Sequence, residues 1–227
     1  MLRLVIFDVD GVIADSEPAH FAVFREVLAG QGAELSWEQY RRRYLGYDDR
    51  ECFGHVLADL GRDGGADMVD QMCRAKQAKF AEYLRNNCII MPGVAELLEI
   101  LRSNNIGCSI YSGAVRSEVE YILAQGRLSG YFTAIVTAED VSAGKPDPEG
   151  YRLSLARVNQ ARAAEPIAPD ECLVIEDSTW GIQAAKAAGM YCLAVTSSYP
   201  AEQLTNADLV VRDLCSVDLD CLKGILG

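Results

Sequence analysis

Two carboxylates, Asp8 and Asp10, close the apolar run Val5-Ile6-Phe7 and are followed at once by Gly11. A short run of this kind reads as a buried strand. Side chains alternate along a strand, so Asp8 and Asp10 point the same way at its carboxyl end. Like charges so placed repel, and the pair requires a cation between them or a proton on one. A divalent metal, with one aspartate as nucleophile and the other as acid/base, supplies both. A loop whose carboxylates are merely solvated is the plain alternative.

Other polar groups stand at equivalent places further along. Ser112 follows the run ending at Tyr111, Lys145 lies in Gly144-Lys145-Pro146, and Glu176 and Asp177 follow Leu173-Val174-Ile175. Taken singly, Ser112 reads as a helix cap, Lys145 as a solvated lysine, and one of the two acids as a helix N-cap. The elements around them alter that reading. Strands are expected at 107–111, 134–137, 172–175, 191–196 and 209–211, with helices at 94–102, 113–124, 149–158 and 180–188. Residues 157–169 read as a surface connection. Such alternation implies a parallel sheet with helices on both faces, and parallel strands put their carboxyl ends on one rim. Residues far apart in sequence therefore converge.

Between the first strand and Met91-Pro92-Gly93 the chain is helical throughout. One helix carries Phe21, Phe24, Val27 and Leu28 and ends at Gly30 and Gly32. A second starts at Ser36, a plausible N-cap with Gln39 three residues on. Leu45 to Arg50 is a loop into a helix through Phe53, Val56, Leu57 and Leu60, and a long helix runs from Asp67 to about Leu84. This is too much chain for a crossover. The expected fold is α/β, a Rossmann-like doubly wound parallel sheet core (residues 1–15 and 90–227) with an inserted all-helical cap domain (residues 16–89).

Composition narrows the function. With 33 acids against 21 bases the net charge of the 227 residues is −12, which argues against a nucleic-acid partner or an anionic membrane surface. No apolar segment is long enough to span a membrane. Eight cysteines form no C-x-x-C pair, so no zinc spacing is present, and Cys108, Cys172 and Cys192 read as buried thiols. No signal peptide is evident, and a reducing cytoplasm is the expected location.

The blocks Asp8-Val9-Asp10-Gly11-Val12-Ile13-Ala14-Asp15-Ser16, Tyr111-Ser112-Gly113, Gly144-Lys145-Pro146-Asp147-Pro148 and Ile175-Glu176-Asp177-Ser178 resemble the four motifs of the haloacid dehalogenase-like hydrolases, in order and spacing. Gly181 and Ala184 to Gly189 fit the phosphatase and phosphomutase branch. The resemblance implies Asp8 as the nucleophile that forms an aspartyl-phosphate and Asp10 as general acid/base. It implies Ser112 and Lys145 as phosphate-binding groups, with backbone donors at Gly11 and Gly113. The Asp8 carboxylate, the Asp10 carbonyl and Asp177 would hold Mg²⁺, with Glu176 as a direct or water-linked ligand. A dehalogenase needs no metal and usually lacks the second aspartate, so Asp10 points to phosphate chemistry.

The branch leaves the substrate open. In β-phosphoglucomutase-like relatives a cap arginine grips a distal phosphate. Here the corresponding turn is Gly46-Tyr47-Asp48-Asp49, with an acid where that arginine would align and Arg50 one position later. One helical residue turns a side chain by about 100°, which favours a phosphatase acting on a sugar or polyol phosphate. β-Phosphoglucomutase-type transfer and phosphoglycolate hydrolysis are the alternatives. The cap is the expected specificity element, with His20, Tyr47, Asp48, Asp49, Arg50 and Lys76 as substrate-binding candidates. The expected partner is a small phosphorylated metabolite, with the chain working as a monomer or weak homodimer.

Overall fold

The computed structural model describes residues 1–45, 47–62, 64–87, 89–162 and 165–227. Gly46, the first residue of the cap turn, and Cys88 lie outside them. Six strands, β1 (Leu4–Phe7), β2 (Gly107–Tyr111), β3 (Ala134–Val136), β4 (Cys172–Glu176), β5 (Tyr191–Val195) and β6 (Leu209–Val211), form one sheet in the order β3-β2-β1-β4-β5-β6. Every neighbouring pair is parallel. The order reverses between β1 and β4, where open α/β sheets bind ligands at the strands' carboxyl ends. Phe7 is level with Ile110 on one side and Ile175 on the other, so the residues that follow these strands meet on one rim.

Nine helices are described: α1 (Glu17–Ala29), α2 (Trp37–Arg43), α3 (Asp49–Asp59), α4 (Ala66–Asn87), α5 (Val94–Ser103), α6 (Arg116–Gln125), α7 (Glu149–Ala161), α8 (Thr179–Ala187) and α9 (Leu219–Ile225). Leu4, Ile6, Cys172, Val174, Cys192 and Ala194 point to one face of the sheet and bury Tyr151, Leu155 and Val158 of α7 with Ile182 and Ala185 of α8. Cys108, Cys172 and Cys192 are buried, as their apolar surroundings predict. The expectation of a surface connection from residue 157 is corrected. α7 continues to Ala161 because Val158 sits in the core, Arg157 bonds the Ile135 carbonyl and Asp140, and Asn159 bonds the Ile167 backbone.

The chain divides into two compact units, Met1–Asp15 with Ile89–Gly227, and Ser16–Cys88. The sheet unit takes in Ile89 because the Asp15 N–H donates to its carbonyl (2.9 Å) and Ile90 bridges to Ala14. The second unit contains α1 to α4. Ser36 caps α2 in a full capping box with Gln39, and Phe24 packs edge-on to Phe53 at 4.8 Å in the helical core. No helix of the described residues is long and apolar enough to cross a membrane.

Candidate active site

Asp8 follows β1, its N–H donating to the Ile175 carbonyl of β4. Glu176 ends β4 and Asp177 follows it. Their carboxylates lie within 4.8 Å of one another, all buried. Lys145, brought in by the loop before α7, bridges two of them, with Nζ 2.9 Å from Asp8 Oδ1 and 2.5 Å from Glu176 Oε1. Ser112 is fully buried past β2, where its N–H donates to the Val136 carbonyl. The neighbouring helices are capped by other residues. α6 has Val115 at its N-cap, and Ser178 caps α8 by accepting from the Gly181 N–H. Neither Ser112 nor the Glu176/Asp177 pair is there to cap a helix.

Two glycines leave room for the acids. A Cβ at Gly11 would lie 1.9 Å from Asp177 Oδ2, and the residue sits at φ +72°, a region that disfavours side chains. A Cβ at Gly181 would lie 1.8 Å from Glu176 Oε1. The Gly11 N–H donates to the Ala14 carbonyl at 2.8 Å. In this conformation Gly11 therefore contributes space and a tight turn, and its amide is spent within that turn. Gly113 is exposed beside Ser112, and Asp10 is half-buried in a bridge to Ala14.

Three buried carboxylates share one buried ammonium. Burial raises Asp8 from its ordinary value to about 7, against the pull of Lys145, and Glu176 and Asp10 push it the same way. Burial, Glu176 and Asp8 together raise Asp177 well above its ordinary value. For Lys145, burial works against the charge, but Asp8 and Glu176 outweigh it and hold the ammonium protonated. Burial also works against the charge on Glu176, but Lys145 and the hydrogen bonds from Lys145, Tyr151 and Ser178 lower it. Asp8 Oδ1 is buried, and its contact with Lys145 is an ion pair without hydrogen-bond geometry. A further cation fits this imbalance. The donors are all hard oxygens, with no imidazole or thiolate in the group, and such donors suit Mg²⁺.

Three residues of the site escaped the reading of the sequence. Ser197 and Ser198 follow β5. The Ser197 hydroxyl donates to the Gly11 carbonyl (2.6 Å) and lies 3.5 Å from Asp177 Oδ2, while Ser198 hydrogen-bonds Asp177. The rule that selected Ser112, a polar residue just past an apolar strand, also selects these two. Tyr151 gave no such signal, because it lies on the apolar face of a helix. Its hydroxyl nevertheless donates to Glu176 Oε1 at 2.7 Å.

The helical unit's candidates each hold local structure. Asp48 is the N-cap of α3, accepting from the Glu51 N–H. Asp49 pairs with Lys76, Nζ to Oδ1 2.8 Å. Arg50 pairs with Asp70, and Tyr47 stacks on His55 at 4.5 Å. Lys76 is 1% exposed, 2.8 Å from His20 Nδ1 and 4.5 Å from the centre of the Phe80 ring.

The site is thus a buried acid–lysine cluster at the switch point of a doubly wound sheet whose chain carries a helical insert. Residues 5–195 match the haloacid dehalogenase-like hydrolases, and the chain belongs to that family. It is similar to a phosphorylated carbohydrates phosphatase of Thermotoga maritima, 34% identical over 190 residues, which are 83% of this chain and 82% of the relative. It is 26% identical to the β-phosphoglucomutase of Bacillus subtilis over 228 residues, 97% of this chain and 94% of the relative. Among solved structures, CbbY from Rhodobacter sphaeroides in complex with phosphate superposes with a TM-score of 0.86 at 25% identity, covering 98% of this chain and 100% of that one.

Proposed function

We propose that this hydrolase is an Mg²⁺-dependent phosphatase that cleaves a small phosphorylated sugar or polyol through an aspartyl-phosphate. The observation that carries the reading is the buried Asp8–Glu176–Asp177 group bridged by Lys145 at the switch point. Asp8 attacks phosphorus, the bond to the ester oxygen breaks, and Asp10 gives that oxygen its proton. Asp10, now a carboxylate, takes a proton from water, whose oxygen attacks the aspartyl-phosphate at phosphorus and frees inorganic phosphate and Asp8. Splitting one displacement into two easier ones is the advantage of the covalent route, and the acid/base group is typically worth ~10²–10⁴-fold. Ser112 and Lys145 hold the phosphoryl oxygens. Asp8, Asp177 and the Asp10 carbonyl, with Glu176 beside them, would hold Mg²⁺, which would supply positive charge to offset that of the transferring group.

The carbohydrate phosphatase of Thermotoga supports the sugar-phosphate substrate. So does the helical unit, where Lys76 is already engaged by Asp49 and His20 and Arg50 by Asp70. Likeness to the Bacillus mutase keeps phosphoryl transfer as the second reading. Hydrolysis of p-nitrophenyl phosphate is expected to require Mg²⁺, stop with EDTA and fall by at least 10³-fold in Asp8→Asn. Turnover that persists under EDTA or in Asp8→Asn sinks the proposal. A panel of sugar phosphates, phosphoglycolate and β-glucose 1-phosphate with a bisphosphate activator then identifies the substrate. Asp48→Asn and Asp49→Asn are expected to change the ranking on that panel, and an unchanged ranking removes both from the substrate contacts. Asn at 48 keeps the cap that alanine would lose at a cost of about 1 kcal/mol.

A further inference from the structure

The Glu176 carboxylate is surrounded by five donors. Oε2 accepts from the Asp177 N–H (3.0 Å), the Ser178 N–H (3.1 Å) and the Ser178 hydroxyl (2.8 Å). Oε1 accepts from Lys145 Nζ (2.5 Å) and the Tyr151 hydroxyl (2.7 Å). The three donors on Oε2 belong to the turn that follows β4 and act as a pivot. They pin Oε2 alone, and a carboxylate held at one oxygen can still tilt about that point through its combined side-chain torsions, so Oε1 takes an anchor of its own. Lys145 cannot supply it, because its ammonium ends a flexible four-carbon stem and goes where its acceptors are. The remaining donor is Tyr151.

That residue is well placed to be rigid. It is fully buried in the first turn of α7, its ring standing edge-on to Tyr111 at 4.9 Å and 86°. The same helix follows directly on the loop that carries Lys145, so the lysine and its anchor are delivered together. Lys145 Nζ lies 5.7 Å from the centre of the Tyr151 ring and 5.2 Å from that of Tyr111. These aromatic faces and Oε1 confine the ammonium to the side on which Asp8 waits.

We propose that Tyr151 is a positioning residue for the reaction. Its hydroxyl fixes Glu176 Oε1, and Oε1 holds Lys145 against Asp8, where the phosphoryl group is transferred. Glu176 on this account serves the lysine first. Its place in the buried acid group beside Asp8 and Asp177 is unchanged. The inference rests on the phosphatase reading and deepens it.

Tyr151→Phe removes the hydroxyl and keeps the ring. It is expected to lower kcat on p-nitrophenyl phosphate about tenfold, the loss of one hydrogen bond to a charged group. KM and the Mg²⁺-induced rise in Tm should stay near wild type. Binding of orthovanadate, followed by thermal shift in Mg²⁺, should weaken by a similar factor, and Tyr151→Phe should cost less than twofold more in a Lys145→Ala background. A Tyr151→Phe enzyme with wild-type kcat and vanadate binding overturns the inference. So does a loss of equal size with and without Lys145, which would show that Tyr151 acts on something else. A wild-type protein that turns over nothing and binds no vanadate fails the phosphatase reading itself, and the inference falls with it.

Discussion

Gly181 stands in the first turn of α8, where alanine is ordinarily the better residue by about 1 kcal/mol. Here the sign reverses. The new methyl would lie 1.8 Å from Glu176 Oε1, and that carboxylate has nowhere to go while five donors hold it. Overpacking at a rigid site costs about 1–3 kcal/mol. Gly181→Ala should therefore destabilise the protein by that amount in denaturant melts, and turnover should fall more than tenfold as Oε1 is displaced from Lys145. A gain in stability would mean that the carboxylate moves freely and that the lysine does not depend on it. Gly11 faces the same conflict with Asp177. Two small residues thus measure how tightly the acids are packed, and no carboxylate motif taken alone reports that.

At the scale of elements, the loop that delivers Lys145 is tied down at both ends by acids. Before it, Asp140 binds Arg157 (2.7 Å) and Arg116 (2.6 Å) and accepts from the Thr137 N–H and hydroxyl. After it, Glu149 accepts from the Ser142 N–H and hydroxyl and from the Ala143 N–H. Arg157 is the principal reason that Asp140 is held well below the usual carboxylate range; Thr137 and Arg116 add to it, and burial opposes. A carboxyl lowered on folding stabilises the native state above its unfolded value of about 3.9, and that contribution disappears as pH falls toward the folded value. Asp140→Asn should cost about 1.5–2 kcal/mol at pH 7, at the low end of the range for charge-assisted hydrogen bonds. The gap to wild type should narrow progressively as pH falls from about 5 to 2. A gap that is constant across that range would assign the stability to shape and not to charge. These ties were not legible in the sequence. The strands, the helices and the rim they form follow from periodicity and from residues such as Ser36 and Gly189. Arg157 and Asn159 have no apolar signal, and only the fold shows that they join α7 to β3 and to Ile167.

The whole molecule carries a charge of −12 and gathers three carboxylates in its interior to handle an anion. The rim was readable because strand ends are local features, and four of them carry chemistry. Ser197 and Ser198 obey the same local rule as Ser112, but their contact with Gly11 and Asp177 depends on β5 lying beside β4. That of Tyr151 depends on how α7 packs. No local pattern states either. The assembled charge makes a further prediction at this scale. Asp8, Glu176 and Asp177 form a candidate metal group in the sheet unit, and the described residues of the helical unit offer none. Mg²⁺ that binds only the folded sheet unit stabilises it by about 2.7 kcal/mol at a hundred times its Kd. For a unit of this size that is a Tm rise of roughly 5–10 °C. The transition of the sheet unit should move, that of the helical unit should not where the two melt separately, and EDTA should reverse the shift. Sodium chloride at equal ionic strength separates a bound ion from general screening of the negative surface, which acts on both units alike. Asp177→Asn removes one ligand charge and should abolish the shift. An equal rise with sodium chloride, or one that survives Asp177→Asn, would place the effect on the surface and leave the buried acids to be balanced by Lys145 and protons alone.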